Sequence, residues 1–162
     1  MMNIHSLNYI FKRPTILLLI ISTGISLSSG CQKDDDPFAN KVPTIELLSL
    51  TPQMVVEFND SLVFNIKYRD NDGDLGENNP SVKNLFITDN RIGIVYDYRI
   101  QQLAPTGSAI AIEGTLQVVL NSVARTDTSL AQESATFSVY VKDRAGNKSN
   151  VVTSGAIIIK EP

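Results

Sequence analysis

From residue 44 onward the chain is a succession of short apolar runs broken by Gly, Pro, Asn and Asp. Leu62, Phe64, Ile66 and Tyr68 alternate with Val63, Asn65, Lys67 and Arg69. That period of two marks a half-buried strand, because successive side chains of a strand point to opposite faces. In the same way Ile112, Gly114, Leu116, Val118 and Leu120 share one face, and Phe137, Val139 and Val141 oppose Thr136, Ser138 and Tyr140. Strands are predicted over 44–50, 54–58, 62–69, 83–88, 92–100, 110–121, 135–142 and 151–160, the second extending or repeating the first. Thr51-Pro52, Asn59-Asp60, Asn90-Arg91 and Ala104-Pro105-Thr106-Gly107 supply the breaks. No segment carries a helical period. About seven short strands with turn signals between them predict an all-β fold, an antiparallel sandwich.

The first thirty residues follow a different rule. Lys12 and Arg13 precede an apolar run from Ile16 to Leu27, and Ser28, Ser29 and Gly30 lead to Cys31. A basic patch, a short apolar stretch and small residues before a cleavage point are the parts of a secretory signal. The run from Thr15 to Ser29 is 15 residues long and includes Thr23, Gly24 and four serines, whereas a membrane span needs roughly 20 mostly apolar residues. The expected organisation is a signal peptide over 1–30, a polar acidic tether over 31–42 and one domain over 43–162.

Composition narrows the chemistry. Lys12 and Arg13 are the only charged residues of the signal segment, so the rest of the chain holds 12 Lys+Arg against 17 Asp+Glu, a net charge of −5. A mildly acidic domain offers no electrostatic basis for binding nucleic acid. Cys31 is the single cysteine, so no disulfide forms within the chain. The single histidine, His5, falls in the signal segment. Without histidine or a free thiol the domain cannot run Ser-His-Asp or Cys-His catalysis or build an ordinary zinc site. No Gly-rich phosphate loop is present. The expectation is a non-enzymatic protein.

The candidate chemistry lies in Asp70-Asn71-Asp72-Gly73-Asp74-Leu75-Gly76. Alternating carboxylates can turn their oxygens toward one hard cation, and the two glycines allow a tight path. The loop is not an EF-hand, since its sixth position is Leu75 and its twelfth is Ser81. Calcium is the expected ligand of Asp70, Asp72 and Asp74; the alternative is a solvated turn in which the aspartates cap backbone amides. Tyr96 and Tyr98 share a strand face and are a candidate sugar-stacking platform, with ordinary cross-strand aromatics as the alternative.

Three motifs carry resemblances. Leu27-Ser28-Ser29-Gly30-Cys31 resembles a bacterial lipobox, with Ser28 where an aliphatic residue is usual. Lys33-Asp34-Asp35-Asp36 after Cys31 resembles the export signal of surface-exposed lipoproteins in the Bacteroidota. Asp143-Arg144-Ala145-Gly146-Asn147 resembles the last hairpin of bacterial immunoglobulin-like domains. Together with the Asp70–Gly76 loop, the pattern resembles a group of small Bacteroidota surface lipoproteins. That resemblance implies an immunoglobulin-like sandwich anchored at Cys31 in the outer membrane and facing the exterior. In that strand order the loop after the second strand and the loop before the last lie at one end, which brings Asp143 toward Asp70, Asp72 and Asp74 as a fourth metal ligand near the tether. The implied role is adhesion, assembly or binding, with an envelope protein or a glycan as partner. Two alternatives stand beside it: a carbohydrate-binding accessory lipoprotein of a glycan-uptake system, and a small hydrolase working through two facing carboxylates.

Overall fold

The computed structural model describes residues 40–162. The signal segment, Cys31 and the Lys33, Asp34, Asp35 and Asp36 motif lie outside the described residues. Ten strand segments follow in chain order: β1 (Thr44–Thr51), β2 (Met54–Val56), β3 (Leu62–Asp70), β4 (Leu85–Asp89), β5 (Val95–Tyr98), β6 (Ile112–Leu120), β7 (Gln132–Ala135), β8 (Phe137–Val141), β9 (Val152–Thr153) and β10 (Ile157–Lys160). Among the described residues there is no helix.

One layer of the sandwich is the antiparallel sheet β1-β3-β6. The other consists of β5-β4-β8-β9 and β2-β10-β7. Only Thr136 separates β7 from β8, so these two segments form one kinked strand. Segments β9 and β10 form another, interrupted at Ser154, whose hydroxyl receives the Phe137 amide at 2.9 Å while its own amide donates to the Phe137 carbonyl at 2.8 Å. The first strand likewise changes layers after Thr51-Pro52, and β2 runs parallel to β10 with Met54 opposite Ile158. Merging these pieces leaves seven strands in an immunoglobulin-like antiparallel sandwich.

Alternation produces the core. Leu62, Phe64 and Ile66 on β3 face Leu85 and Ile87 on β4 and Phe137, Val139 and Val141 on β8, all fully buried. Phe64 and Phe137 meet edge to face across the layers at 5.7 Å between ring centres. Each such side chain contributes about 1.5–3 kcal/mol on burial.

Several predicted strands have different limits. The 92–100 strand contracts to Val95–Tyr98 because Asp89 gathers Arg91 into the hairpin turn and Gly93 takes a positive φ of 71°. Ile92 and Ile94 are left exposed. The 54–58 strand stops at Val56, and Phe58 turns out at φ 60° with 73% of its surface exposed. The polar segment Gln132–Ser134 has no apolar alternation of its own and is drawn into the sheet by pairing with Ile158, Ile159 and Lys160.

Candidate metal centre

The period that buries Leu62, Phe64, Ile66 and Tyr68 continues one step further and carries Asp70 to the same inward face, where it is completely buried. Its Oδ2 accepts the Leu75 amide at 2.7 Å, and its Oδ1 has no hydrogen-bond partner. Leu75 is itself fully buried, anchoring the loop in the core, and forms an isolated antiparallel bridge with Asp143. Between these anchors the chain turns through Gly73 at φ 73° and leaves through Gly76 at φ 90°. A side chain at Gly73 would collide with the Ile110 carbonyl, and one at Gly76 with the Gln101 carbonyl.

This path converges the carboxylates. Asp70, Asp72 and Asp74 each bring one oxygen within 4.8 Å of the others. The Oδ1 atoms of all three are buried without a partner. Burial pushes the Asp70 carboxyl up to about 6, with Asp72 and Asp74 acting in the same direction and the Leu75 amide opposing them. Asp74 is also pushed up, first by burial and then by Asp143 and Asp72, against the Ala145 amide and Arg144. A buried carboxylate oxygen without a donor is costly. Three carboxylates that converge form an oxygen-only donor set, the kind that hard divalent cations take. The cluster could hold a metal ion.

The facing hairpin braces the loop. Arg144 donates from Nη1 to the Gly76 carbonyl at 2.9 Å and from Nη2 to the Gly73 carbonyl at 3.2 Å. Its amide donates to the Asp74 carbonyl at 3.2 Å, and the Ala145 amide to Asp74 Oδ2 at 3.1 Å. Asp143 reaches this end of the sandwich but stands outside the group of three. Its Oδ1 accepts the Asn147 amide at 2.7 Å and its Oδ2 the Asn147 side-chain amide at 2.8 Å. Asp143, expected as a fourth ligand, thus lies beside the three and uses one hydrogen bond at each oxygen to close the hairpin turn, while the Leu75–Asp143 bridge, Arg144 and Ala145 join the two loops. The hairpin motif marks Arg144 and Ala145 as turn positions, but nothing in it signals their contact with the acidic loop, because a guanidinium bound to carbonyls leaves no motif.

Asn71 points away from the carboxylates, accepting Arg69 Nε at its Oδ1 at 3.2 Å and donating from Nδ2 to the Asn40 carbonyl at 2.9 Å.

The tyrosines take the alternative reading. Tyr96 and Tyr98 are half-buried against the core, and the Tyr98 hydroxyl donates to the Val119 carbonyl at 3.2 Å. The aromatic pair on the sheet's outer face is Phe86 and Tyr140, in register across β4 and β8 and stacked at 4.8 Å. The Lys142 ammonium lies over Phe86 at 5.6 Å and that of Lys148 over Tyr140 at 3.9 Å. The rings cover one another and the ammoniums take the remaining faces, so this pair offers no open platform for a sugar ring.

No family model and no curated protein sequence matches the chain. Among solved structures it is similar to a mutant form of the SrpA adhesin from Streptococcus sanguinis, at 17% sequence identity and a TM-score of 0.38. The match covers 76% of this chain and 58% of the adhesin chain.

Proposed function

We propose that this protein is a non-enzymatic surface module for adhesion or assembly: an immunoglobulin-like sandwich carried on a lipid anchor at Cys31, with calcium at Asp70, Asp72 and Asp74 stabilising its base. The metal reading rests on the convergence of the three carboxylates, each of which also carries a buried Oδ1 without a partner. Calcium suits them better than magnesium because it accepts six to eight oxygens in a flexible shell, whereas magnesium demands near-ideal octahedral geometry. The test is a thermal melt of the purified lipoprotein in detergent, from chelator to millimolar calcium. At ten times its dissociation constant calcium stabilises the native state by about 1.4 kcal/mol. Asp72→Ala or Asp74→Ala abolishes the shift. An unchanged wild-type melt leaves only the capped-turn reading.

The location rests on the Cys31 context and is tested separately. The mature chain begins at Cys31, carries acyl chains and is open to protease on whole cells. Cys31→Ala yields an unlipidated form, and replacing Lys33, Asp34, Asp35 and Asp36 with alanine keeps lipidation but loses surface exposure. A Cys31→Ala protein still held in membranes through residues 15–29 would replace the anchor with a spanning helix. The partner on the exterior is an envelope protein or a glycan, and affinity capture on intact cells distinguishes them.

A further inference from the structure

The loop that gathers the three carboxylates also grips the chain on its way into the sandwich. Asn71 lies between Asp70 and Asp72 in sequence, yet its side chain turns to the backbone carbonyl of Asn40 at 2.9 Å. Asn40 folds back in turn, its Oδ1 accepting the Val42 amide at 3.1 Å. Beside them the Thr44 hydroxyl donates to the Arg69 carbonyl at 3.4 Å, and the ladder between β1 and β3 begins with Thr44 opposite Arg69. Residues 40–42 are thus held by the Asn71 side chain before strand pairing takes over.

We propose that the metal site is a clamp on this segment, and that occupancy of Asp70, Asp72 and Asp74 holds Asn40–Val42 against the end of β3. The proposal rests on the metal reading above. Without a cation the three carboxylates repel one another, and Asp70 Oδ1 is sealed from solvent with no donor. The half-buried Asp72 and Asp74 can relieve that repulsion by moving outward. Because Asn71 is covalently between two of the ligands, any such movement turns its amide away from Asn40. With the cation bound, the backbone from Asp70 to Asp74 is fixed and the Asn71 amide is already aimed, so forming the bond costs little further ordering. Freeing residues 40–43 adds up to about 13 Å of free chain before the domain, at 3.3–3.6 Å per residue. The ion would then set how stiffly the module is carried on its tether.

Endoproteinase Lys-C reads this directly, because Lys41 is exposed within the clamped segment. The purified full chain in detergent is digested in chelator and in millimolar calcium, and cleavage after Lys41 is compared with cleavage after the exposed Lys160, on the last strand at the opposite end. Calcium is expected to slow the Lys41 cut about fivefold relative to Lys160, the effect of one side-chain hydrogen bond on local opening. Asn71→Ala is expected to keep the calcium-dependent melting shift and lose the protection. Asp72→Ala is expected to lose both. Protection that survives in Asn71→Ala, or a wild type that melts higher in calcium with no change at Lys41, overturns the clamp while leaving the metal site standing. A wild type with neither response overturns the metal reading and the clamp with it.

Discussion

The carboxylate of Asp74 accepts the backbone amide of Ala145 at 3.1 Å, joining two loops that are 71 residues apart in sequence. Arg144, the next residue back, spans the carbonyls of Gly73 and Gly76. The opposite hairpin therefore helps to shape the acidic loop. Arg144→Met removes both guanidinium bonds while keeping much of the side-chain volume. It is expected to lower the stability of the metal-free protein by about 2 kcal/mol, within the range for hydrogen bonds to charged groups. The denaturant midpoint measures it, and a loss below about 0.5 kcal/mol would show that Arg144 does not brace the loop.

The acidic loop also sets a pH dependence of unusual sign. The Asp70 carboxyl is raised in the folded protein to about 6, above its unfolded value near 3.9. Between those values the folded protein binds more protons than the unfolded chain, so this residue makes stability fall as pH rises from about 4 to 6. Asp74 acts in the same direction. Glu57, Glu113, Asp127 and Glu133 are lowered and act oppositely. The Asp70 contribution is therefore the difference between wild type and Asp70→Asn. In chelator, Asp70→Asn is expected to be the more stable of the two at pH 7 and to lose that advantage by pH 4. Chemical denaturation at several pH values decides it, and parallel curves would exclude a raised Asp70.

Gly76 and Gly146 share a positive φ of 90° but differ in surroundings. A methyl at Gly76 runs into the Gln101 carbonyl, whereas nothing lies within 4 Å of one at Gly146. Gly146→Ala is expected to cost about 1 kcal/mol of backbone strain, and Gly76→Ala about 3 kcal/mol together with the calcium response. Thermal melts of the two variants side by side give the order, and equal losses would remove the steric argument.

At the other end of the sandwich, Asp89 takes Arg91 Nε at 3.0 Å and Nη2 at 2.6 Å, and Glu133 pairs with Nη1 at 3.0 Å. Asp89 is almost entirely buried, so Asp89→Ala leaves a half-paired guanidinium inside the protein and is expected to cost about 3 kcal/mol. Replacing the pair together, Asp89→Leu with Arg91→Met, is expected to recover most of that loss. A double-mutant cycle in urea measures the coupling, and additive effects would mean that the two charges act independently.

Much of the fold was legible along the chain. The alternation over Leu62–Tyr68 placed β3, that over Phe137–Val141 placed β8, and the inward set from Ile112 to Leu120 follows the reading of one shared face. The converging carboxylates were legible for the same local reason, since alternate aspartates and two glycines suffice to bring oxygens together within one short loop. The failures were of another kind. Gln132–Ala135 is a strand only because β10 pairs with it. Tyr96 and Tyr98 have the spacing of a shared face, and only the packing of β5 over the core decides that the face points inward.

Sequence by itself determined the features that depend on near neighbours: strand periodicity, turn chemistry, a chain without disulfides, and an acidic loop able to converge its oxygens. Tertiary structure decided which distant groups meet them. It gave both oxygens of Asp143 to Asn147, set Arg144 and Ala145 against the loop, and turned Asn71 toward Asn40. The physical reason is that a side chain's neighbours along a strand follow from the pleat, whereas its neighbours across a sandwich follow from register and strand order. Those are settled only when the two hydrophobic faces close on one another.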